Sequence, residues 1–293
     1  MPKLISRQLN TLLHKLLAQS IAFNLLHMLY HYVKIKVWGR QSIEPVGKFT
    51  QSGHKRKLAI IGCGPSVNDL DDDFFEQLGD YDVAAFSYAA LLPVNIEFYF
   101  YELPRGTLLR QHQQFLYPEL VKKQEKGMLR HFILKNTNAK GKQLLEPFSE
   151  LKLSITFPIH LRSTRKLAQL LDILDFFKLT SRYFFQPRAS LFSICHWADA
   201  MGYEEILLVG IDLNSSKYFY EENSKWLTVK IPNPFSDEEL SSGVHPVNDE
   251  KIGIKLTDAM LVLSKRLKAK VYLTNPESAL ASMFECKNEN RKA

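Results

Sequence analysis

Four short segments of the sequence hold side chains of types that do chemistry. Phe184 to Asp212 carries Arg188 and Ser190 at a helix start and ends a buried apolar run, Ile206–Val209, on the carboxylate of Asp212. The loop that follows presents Tyr218 and Tyr220, whose phenol hydroxyls could donate to an anion. His245 sits in a loop ahead of a further helix, and an imidazole with an unperturbed pKa of about 6.5 suits general-base work near neutrality. The turn "GCGPS" (Gly62, Cys63, Gly64, Pro65, Ser66) follows the apolar run Leu58–Ile61. Its glycines permit a tight bend and close backbone approach, and Ser66 offers a hydroxyl and backbone N–H groups near a helix start, the chemistry that holds phosphates.

Each of these groups also has a plainer role. His245 could cap the helix after it, the two tyrosines could pack a loop, and Arg188 could pair with Glu204 or Glu205. Asp212 could organise its own loop through backbone hydrogen bonds. The glycine turn is neither a full GxGxxG nor a lysine-bearing phosphate loop, so it does not identify a nucleotide site alone. His196 and Trp197 lie inside a helix and read as core or surface.

These segments need elements to position them. The runs Leu58–Ile61, Asp82–Ala90, Ile96–Tyr101, Ile206–Val209 and Lys270–Leu273 read as short buried strands. Helical stretches fall near Asp71–Leu78, Leu108–Lys126, Arg165–Phe177, Ala189–Met201 and Asp249–Lys268. Alternation of this kind predicts an α/β chain with a doubly wound, Rossmann-like parallel sheet, and such sheets bind ligands at the carboxyl ends of their strands. The acidic run Asp71, Asp72, Asp73 has the look of a metal-held diphosphate cluster. Acids at a helix start also offset the helix dipole, with Phe74 and Phe75 as the buried face, and no metal ligand set is expected.

Charge is unevenly placed. The chain carries +7 overall, yet residues 1–57 hold ten Lys/Arg against Glu44 alone, a net of +9, so the other 236 residues sum to −2. A nearly neutral body argues against nucleic acid as a partner. Cys63, Cys195 and Cys286 lie far apart without zinc spacing, as expected of reduced thiols in the cytoplasm. In the arm, apolar residues recur at helical spacing from Leu4 to Val37, and Leu16–Val33 contains no charged residue. Polar interruptions by Gln19, Ser20, Asn24, His27 and His31 favour a helix lying on a surface, either a membrane, the protein's own body or a partner subunit, over a spanning one. The expected organisation is an arm and linker over residues 1–54 and an α/β ligand-binding domain over 55–293, with a lid at about 213–247.

The ordered set of GxGPS, Gln-x-Arg-x-Ser, Ala-x-Gly-Tyr-x-Glu-Ile, Gly-Ile-Asp, a tyrosine-bearing loop, Gly-x-His and Asn-Pro-x-Ser-x-Leu-Ala resembles bacterial glycosyltransferase family 42. Its members are CMP-sialic acid-dependent sialyltransferases. The resemblance runs from Lys57 to Phe284 and is strongest over Phe184–Asp212; "GIDLNSSKYFYEE" is also similar to CMP-Kdo-dependent transferases. It implies a GT-A-like variant of the fold and inverting, metal-independent transfer of an acidic sugar from a CMP donor to a bacterial surface glycan or lipooligosaccharide. By the same resemblance His245 would be the base, and Tyr218 or Tyr220 would bond the departing phosphate. Arg188 and Ser190 would lie near the donor carboxylate and phosphate, Gly62, Cys63, Gly64, Pro65 and Ser66 at the nucleotide, and Asp212, Asn214 and Ser278 around the donor. Where the family has asparagines, this chain has Cys63, Ser87 and Glu102, and Asn214 stands at a tyrosine position.

The expected partners are thus a CMP-activated acidic sugar, a glycan or glycolipid acceptor, and a membrane surface met by residues 1–40 at the inner face of the cytoplasmic membrane. No cofactor is expected, and a homo-oligomer is compatible with the sequence. Two rival functions stand beside this one: a pterin-type pyrophosphokinase using ATP and magnesium, and a non-catalytic membrane-associated scaffold.

Overall fold

The structure, a computed structural model, describes residues 16, 19–38, 55–102, 104, 107–135, 151–154, 156–221, 224–227, 230–233, 246–248 and 253–287. The strands are β1 (Lys57–Ile61), β2 (Tyr81–Phe86), β3 (Ile96–Tyr101), β4 (Leu129–Leu134), β5 (Leu151–Leu153), β6 (Thr156–Pro158), β7 (Phe184–Gln186), β8 (Glu205–Val209), β9 (Lys270–Leu273) and β10 (Glu285–Cys286). The helices are α1 (Ile21–Trp38), α2 (Asp72–Gln77), α3 (Thr107–Gln111), α4 (Tyr117–Glu125), α5 (Thr164–Phe176), α6 (Ser190–Ala200) and α7 (Leu256–Ser264).

Eight strands form one sheet in the order β10-β9-β8-β1-β2-β3-β4-β5, with every neighbouring pair parallel, and β6 and β7 form a separate parallel pair. Strands covered on both faces must be apolar at consecutive positions, which is how "KLAII" and "EILLV" read. Along β1, Leu58 and Ile60 enter a core shared with α5, α6 and α7, while Ala59 and Ile61 enter the opposite core with Phe75, Leu116 and Leu120. The sheet is doubly wound, as predicted. The chain builds β1 to β5 outward on one side, then returns to lay β8 against the other side of β1. The carboxyl ends of β1 and β8 are therefore the topological switch point, where a crevice opens between loops that leave in opposite directions.

The structure revises several element boundaries. The strand expected over Asp82–Ala90 stops at Phe86, because Ser87 adopts a left-handed φ of +53° and Ser87–Leu91 continues as a 3₁₀ turn. The last long helix is Leu256–Ser264 within the described residues, not Asp249–Lys268: the chain is extended at Lys255, and the Asn248 side chain accepts a hydrogen bond from the Thr257 N–H at 3.2 Å. Strands β4 to β7 and β10 were not anticipated. The acidic run does cap a helix: Asp71 accepts from the Phe74 N–H at 2.9 Å, Asp72 lies 3.2 Å from Lys225, and Phe75 is buried edge-on to Trp226.

The arm helix packs one face on the body of the protein and leaves the other exposed. On α1, Asn24 and Met28 are buried and Ile21, Leu25 and Tyr32 pack against the core, with the Asn24 carboxamide accepting from the His160 N–H at 2.9 Å. The other face leaves Phe23, Leu26, Leu29, Tyr30 and Val33 exposed, Leu26 to 60%. No helix of the described residues is long and apolar enough to cross a membrane. The linker expected over residues 39–54 lies outside the described residues.

Candidate active site

Hydrogen bonding of β1 to β8 runs on past the strands. The Gly62 N–H donates to the Val209 carbonyl and the Gly64 N–H to the Gly210 carbonyl, both at 2.8 Å. This close pairing explains the glycines. A Cβ on Gly64 would lie 2.3 Å from Asp212 Oδ2 and one on Gly62 2.8 Å from the Gly210 carbonyl, while Gly210 itself has φ +62° with Val67 against it.

The turn is locked by Asp212. Its carboxylate, 3% exposed, accepts from Ser66 N (2.9 Å), Ser66 Oγ (2.6 Å) and Asn275 Nδ2 (2.7 Å). One side chain thus ties the loops after β1, β8 and β9 together. Ser278 completes the lock, donating to the Ile211 carbonyl at 2.6 Å, and Asn214 donates to the Glu277 carbonyl at 2.7 Å.

Above this floor lies a cavity of about 270 Å³. Of the residues singled out in the sequence, Cys63, Gly64, Ser87, Arg188, Ser190, Asp212 and Tyr218 line it. Gly62, Pro65, Ser66, Asn214, Ser278 and Tyr220 do not: they shape the turn or back the wall. His245 lies outside the described residues, but Val247, two residues along, is on the cavity wall and its carbonyl accepts from Arg188 Nε at 2.9 Å. Arg188 therefore braces the segment following His245 rather than pairing with Glu204 or Glu205, which are bound to Arg56 and to Tyr81 and Lys287.

The tyrosine loop is fastened at its root. The Phe219 N–H donates to the Cys63 carbonyl at 3.0 Å, and Asn68 donates to the Phe219 carbonyl at 3.0 Å. The Tyr218 ring stacks on Tyr220 at 5.1 Å with a 6° interplanar angle, and Tyr220 lies buried 4.7 Å from Tyr88. Tyr220 is thus a platform, and Tyr218 is the phenol on the wall. Burial pushes the Tyr218 phenol above its ordinary range, so it stays a hydrogen-bond donor at any physiological pH. Burial likewise raises the Cys63 thiol to about 12, which makes it a neutral wall group and not a nucleophile.

Two cavity residues carry left-handed backbone without being glycine: Ser87 at φ +53° and Leu213 at +59°. Local contacts hold both. Tyr99 donates to the Ser87 carbonyl at 2.9 Å and Asn248 to the Leu213 carbonyl at 3.2 Å. Backbone held in such a region costs of order 1–3 kcal/mol and concentrates at functional sites.

Sequence reasoning missed Lys135 entirely. Tyr101 is paired with Leu134 across β3 and β4, so the next residues along, Glu102 and Lys135, stand side by side. Lys135, 0% exposed, reaches Glu102 Oε1 (2.9 Å), Gln186 Oε1 (2.5 Å) and Ser190 Oγ (3.1 Å). Partial desolvation in the cavity wall works against the Glu102 charge, but Lys135 beside it, with Gln186 and Ser190, holds the carboxyl below its usual range. Burial draws the Lys135 ammonium down, with Glu102 opposing. The available signal was a charged residue directly after each of two successive apolar runs, Phe98–Tyr101 and Phe132–Leu134.

No family model matches the chain, and no curated protein matches it. Among solved structures it is similar to the sialyltransferase CST-II in complex with a trisaccharide acceptor and CMP, at 23% identity over 81% of this chain and 88% of that one, with a TM-score of 0.45. It is similar to CstII from Campylobacter jejuni with cytidine-5'-monophosphate, at 21% identity over 83% and 93% of the two chains and a TM-score of 0.44. For the monofunctional alpha-2,3-sialyltransferase Cst-I of the same organism the values are 18%, 87%, 86% and 0.46.

Proposed function

We propose that this chain is a glycosyltransferase that takes a CMP-activated acidic sugar, a sialic acid, Kdo or related compound, and transfers it with inversion and without a metal to a glycan or glycolipid hydroxyl. The observation that carries the reading is the make-up of the switch-point cavity. Its volume of about 270 Å³ is near the foot of the range of small-ligand sites (~300 Å³ upward). A protonated phenol, a thiol, hydroxyls and Arg188 line it, while the carboxylate of Asp212 is committed to Ser66 and Asn275 and the charge of Glu102 is offset by Lys135. Neutral donors and an arginine suit the single phosphate of a CMP leaving group.

In this reading the acceptor oxygen attacks the anomeric carbon as its bond to the CMP phosphate oxygen breaks, the electron pair leaving with CMP. Tyr218 donates to the phosphate as its charge develops. His245, assigned from sequence alone, takes the acceptor proton. The loop over 213–247 is assigned as the lid that keeps water from the activated sugar. The exposed face of α1 is assigned to an anionic bilayer surface, supported by its five exposed apolar side chains and by the net +9 of residues 1–57.

Thermal shift with CMP, CDP, UDP and ATP, each with and without Mg²⁺, tests the reading, since a ligand bound only by the folded state raises its stability. Stabilisation by CMP in the presence of EDTA is the expected result. Stabilisation by ATP with Mg²⁺ alone would replace it with the pyrophosphokinase, and no response to any nucleotide would leave the scaffold.

A further inference from the structure

The charged pair at the ends of β3 and β4 has a composition that sets what the cavity takes. A lysine ammonium has three N–H donors. In Lys135 all three are engaged, by Glu102, Gln186 and Ser190, and the side chain has no exposed surface. Lys135 therefore has nothing left to offer a ligand's carboxylate or phosphate. Glu102 is different. Its side chain is 41% exposed and lies on the cavity wall. A carboxylate has room for about four donors, and Lys135 and Ser190 both bond Oε1 while Gln186 takes a third place. Acceptor capacity remains on a carboxylate that lines the cavity.

We propose that Glu102 is a specificity-determining residue whose carboxylate accepts a hydrogen bond from a hydroxyl of the transferred sugar, with Lys135 keeping that carboxylate charged and aimed. This rests on the donor reading above and adds to it the orientation of the sugar. A hydroxyl-bearing face of the sugar turns toward Glu102, and its anionic groups turn away, toward Arg188 and Lys217 on the same cavity. An ionised carboxylate would repel an acid placed beside it, whereas a sugar hydroxyl can donate a charge-assisted hydrogen bond to it. The Glu102 carboxyl, held below its ordinary range, is a weak base but a strong acceptor, which separates this role from proton removal.

The test compares binding of CMP with that of CMP-Kdo and of the substrate analogue CMP-3FNeuAc by calorimetry, in the wild type, Glu102→Gln and the double variant Glu102→Gln/Lys135→Met. The double variant removes both charges, so the protein is not left with an unpaired buried ammonium. Wild type is expected to bind one of the two CMP-sugars more tightly than CMP. Loss of a hydrogen bond to a charged group should weaken that CMP-sugar by ~10-fold or more in both variants while CMP changes less than about 3-fold. CMP binding with an unchanged CMP-sugar to CMP ratio in the variants would overturn the role of Glu102 alone. Neither CMP-sugar exceeding CMP in the wild type would do the same. Absence of CMP binding to the wild type would overturn the donor reading, and this inference with it.

Discussion

Asp212 and Ser66 bond twice, through the Ser66 N–H at 2.9 Å and its hydroxyl at 2.6 Å, although 146 residues separate them. This pair closes the switch point: the loop from β8 holds the turn from β1, and the cavity floor exists only while it does. Asp212→Asn would turn an amide N–H toward donors that need an acceptor. It is expected to cost about 2–3 kcal/mol of stability, the scale of a charged hydrogen bond lost with a buried donor unsatisfied, read as a lower urea midpoint.

Gly64→Ala should be worse for binding than for folding. Its Cβ would sit 2.3 Å from Asp212 Oδ2 and 2.8 Å from the Gly210 carbonyl, so the turn has to move. Overpacking of this kind costs about 1–3 kcal/mol. Calorimetry should show CMP affinity falling at least tenfold, and an unchanged affinity would mean that the turn does not touch the nucleotide.

Ser87→Gly separates strain from contact. Glycine accepts φ near +53° without penalty, so thermal stability should hold or rise by about 1 kcal/mol. A clear fall in melting temperature would show that the Ser87 hydroxyl outweighs the strain.

Tyr218→Phe keeps the ring stack on Tyr220 and deletes one hydroxyl. If that hydroxyl stabilises the departing phosphate, kcat for CMP-sugar transfer should fall ~10²-fold with melting temperature nearly unchanged, whereas Tyr220→Phe should leave kcat within a few-fold. His245→Ala should abolish transfer with CMP binding retained. Loss of both together would remove His245 from the role of base.

His112 gives the fold an acid sensitivity. It is buried with Nδ1 3.1 Å from the Tyr101 hydroxyl, and burial lowers its pKa from 6.5 to about 4. A base whose folded pKa is depressed leaves the unfolded chain to take up the proton first. Its contribution is therefore full above pH 6.5 and is lost as pH falls toward 4. At 1.36 kcal/mol per pKa unit this comes to roughly 3 kcal/mol. Urea midpoints measured between pH 7 and 4 should show that decline, and His112→Gln should flatten it.

Much of the site was readable because its parts follow apolar runs. The glycine turn after β1, Asp212 after β8, the tyrosines beyond it and Arg188 ahead of α6 could be placed at one sheet edge from the pattern alone. Their individual tasks were not readable in the same way. Ser66 and Ser278 have the same hydroxyl as Ser87 and Ser190, yet the first two are turned to Asp212 and the Ile211 carbonyl, and the last two line the cavity. A short polar side chain bonds whatever the fold brings within 3 Å of it.

The sequence by itself determined the alternating layers, the sheet edge at which the cavity opens, and the placing of the net positive charge in the arm, since each follows from local spacing along the chain. Tertiary structure decided the rest. It set the left-handed bend that ends β2 at Phe86, the choice of Tyr218 as wall and Tyr220 as platform, and the division of α1 between a packed and an exposed face. Above all it set Lys135 against Glu102, two residues 33 positions apart. The pairing register of β3 and β4 makes them neighbours, and register is a property of two strands together, which neither strand's sequence contains.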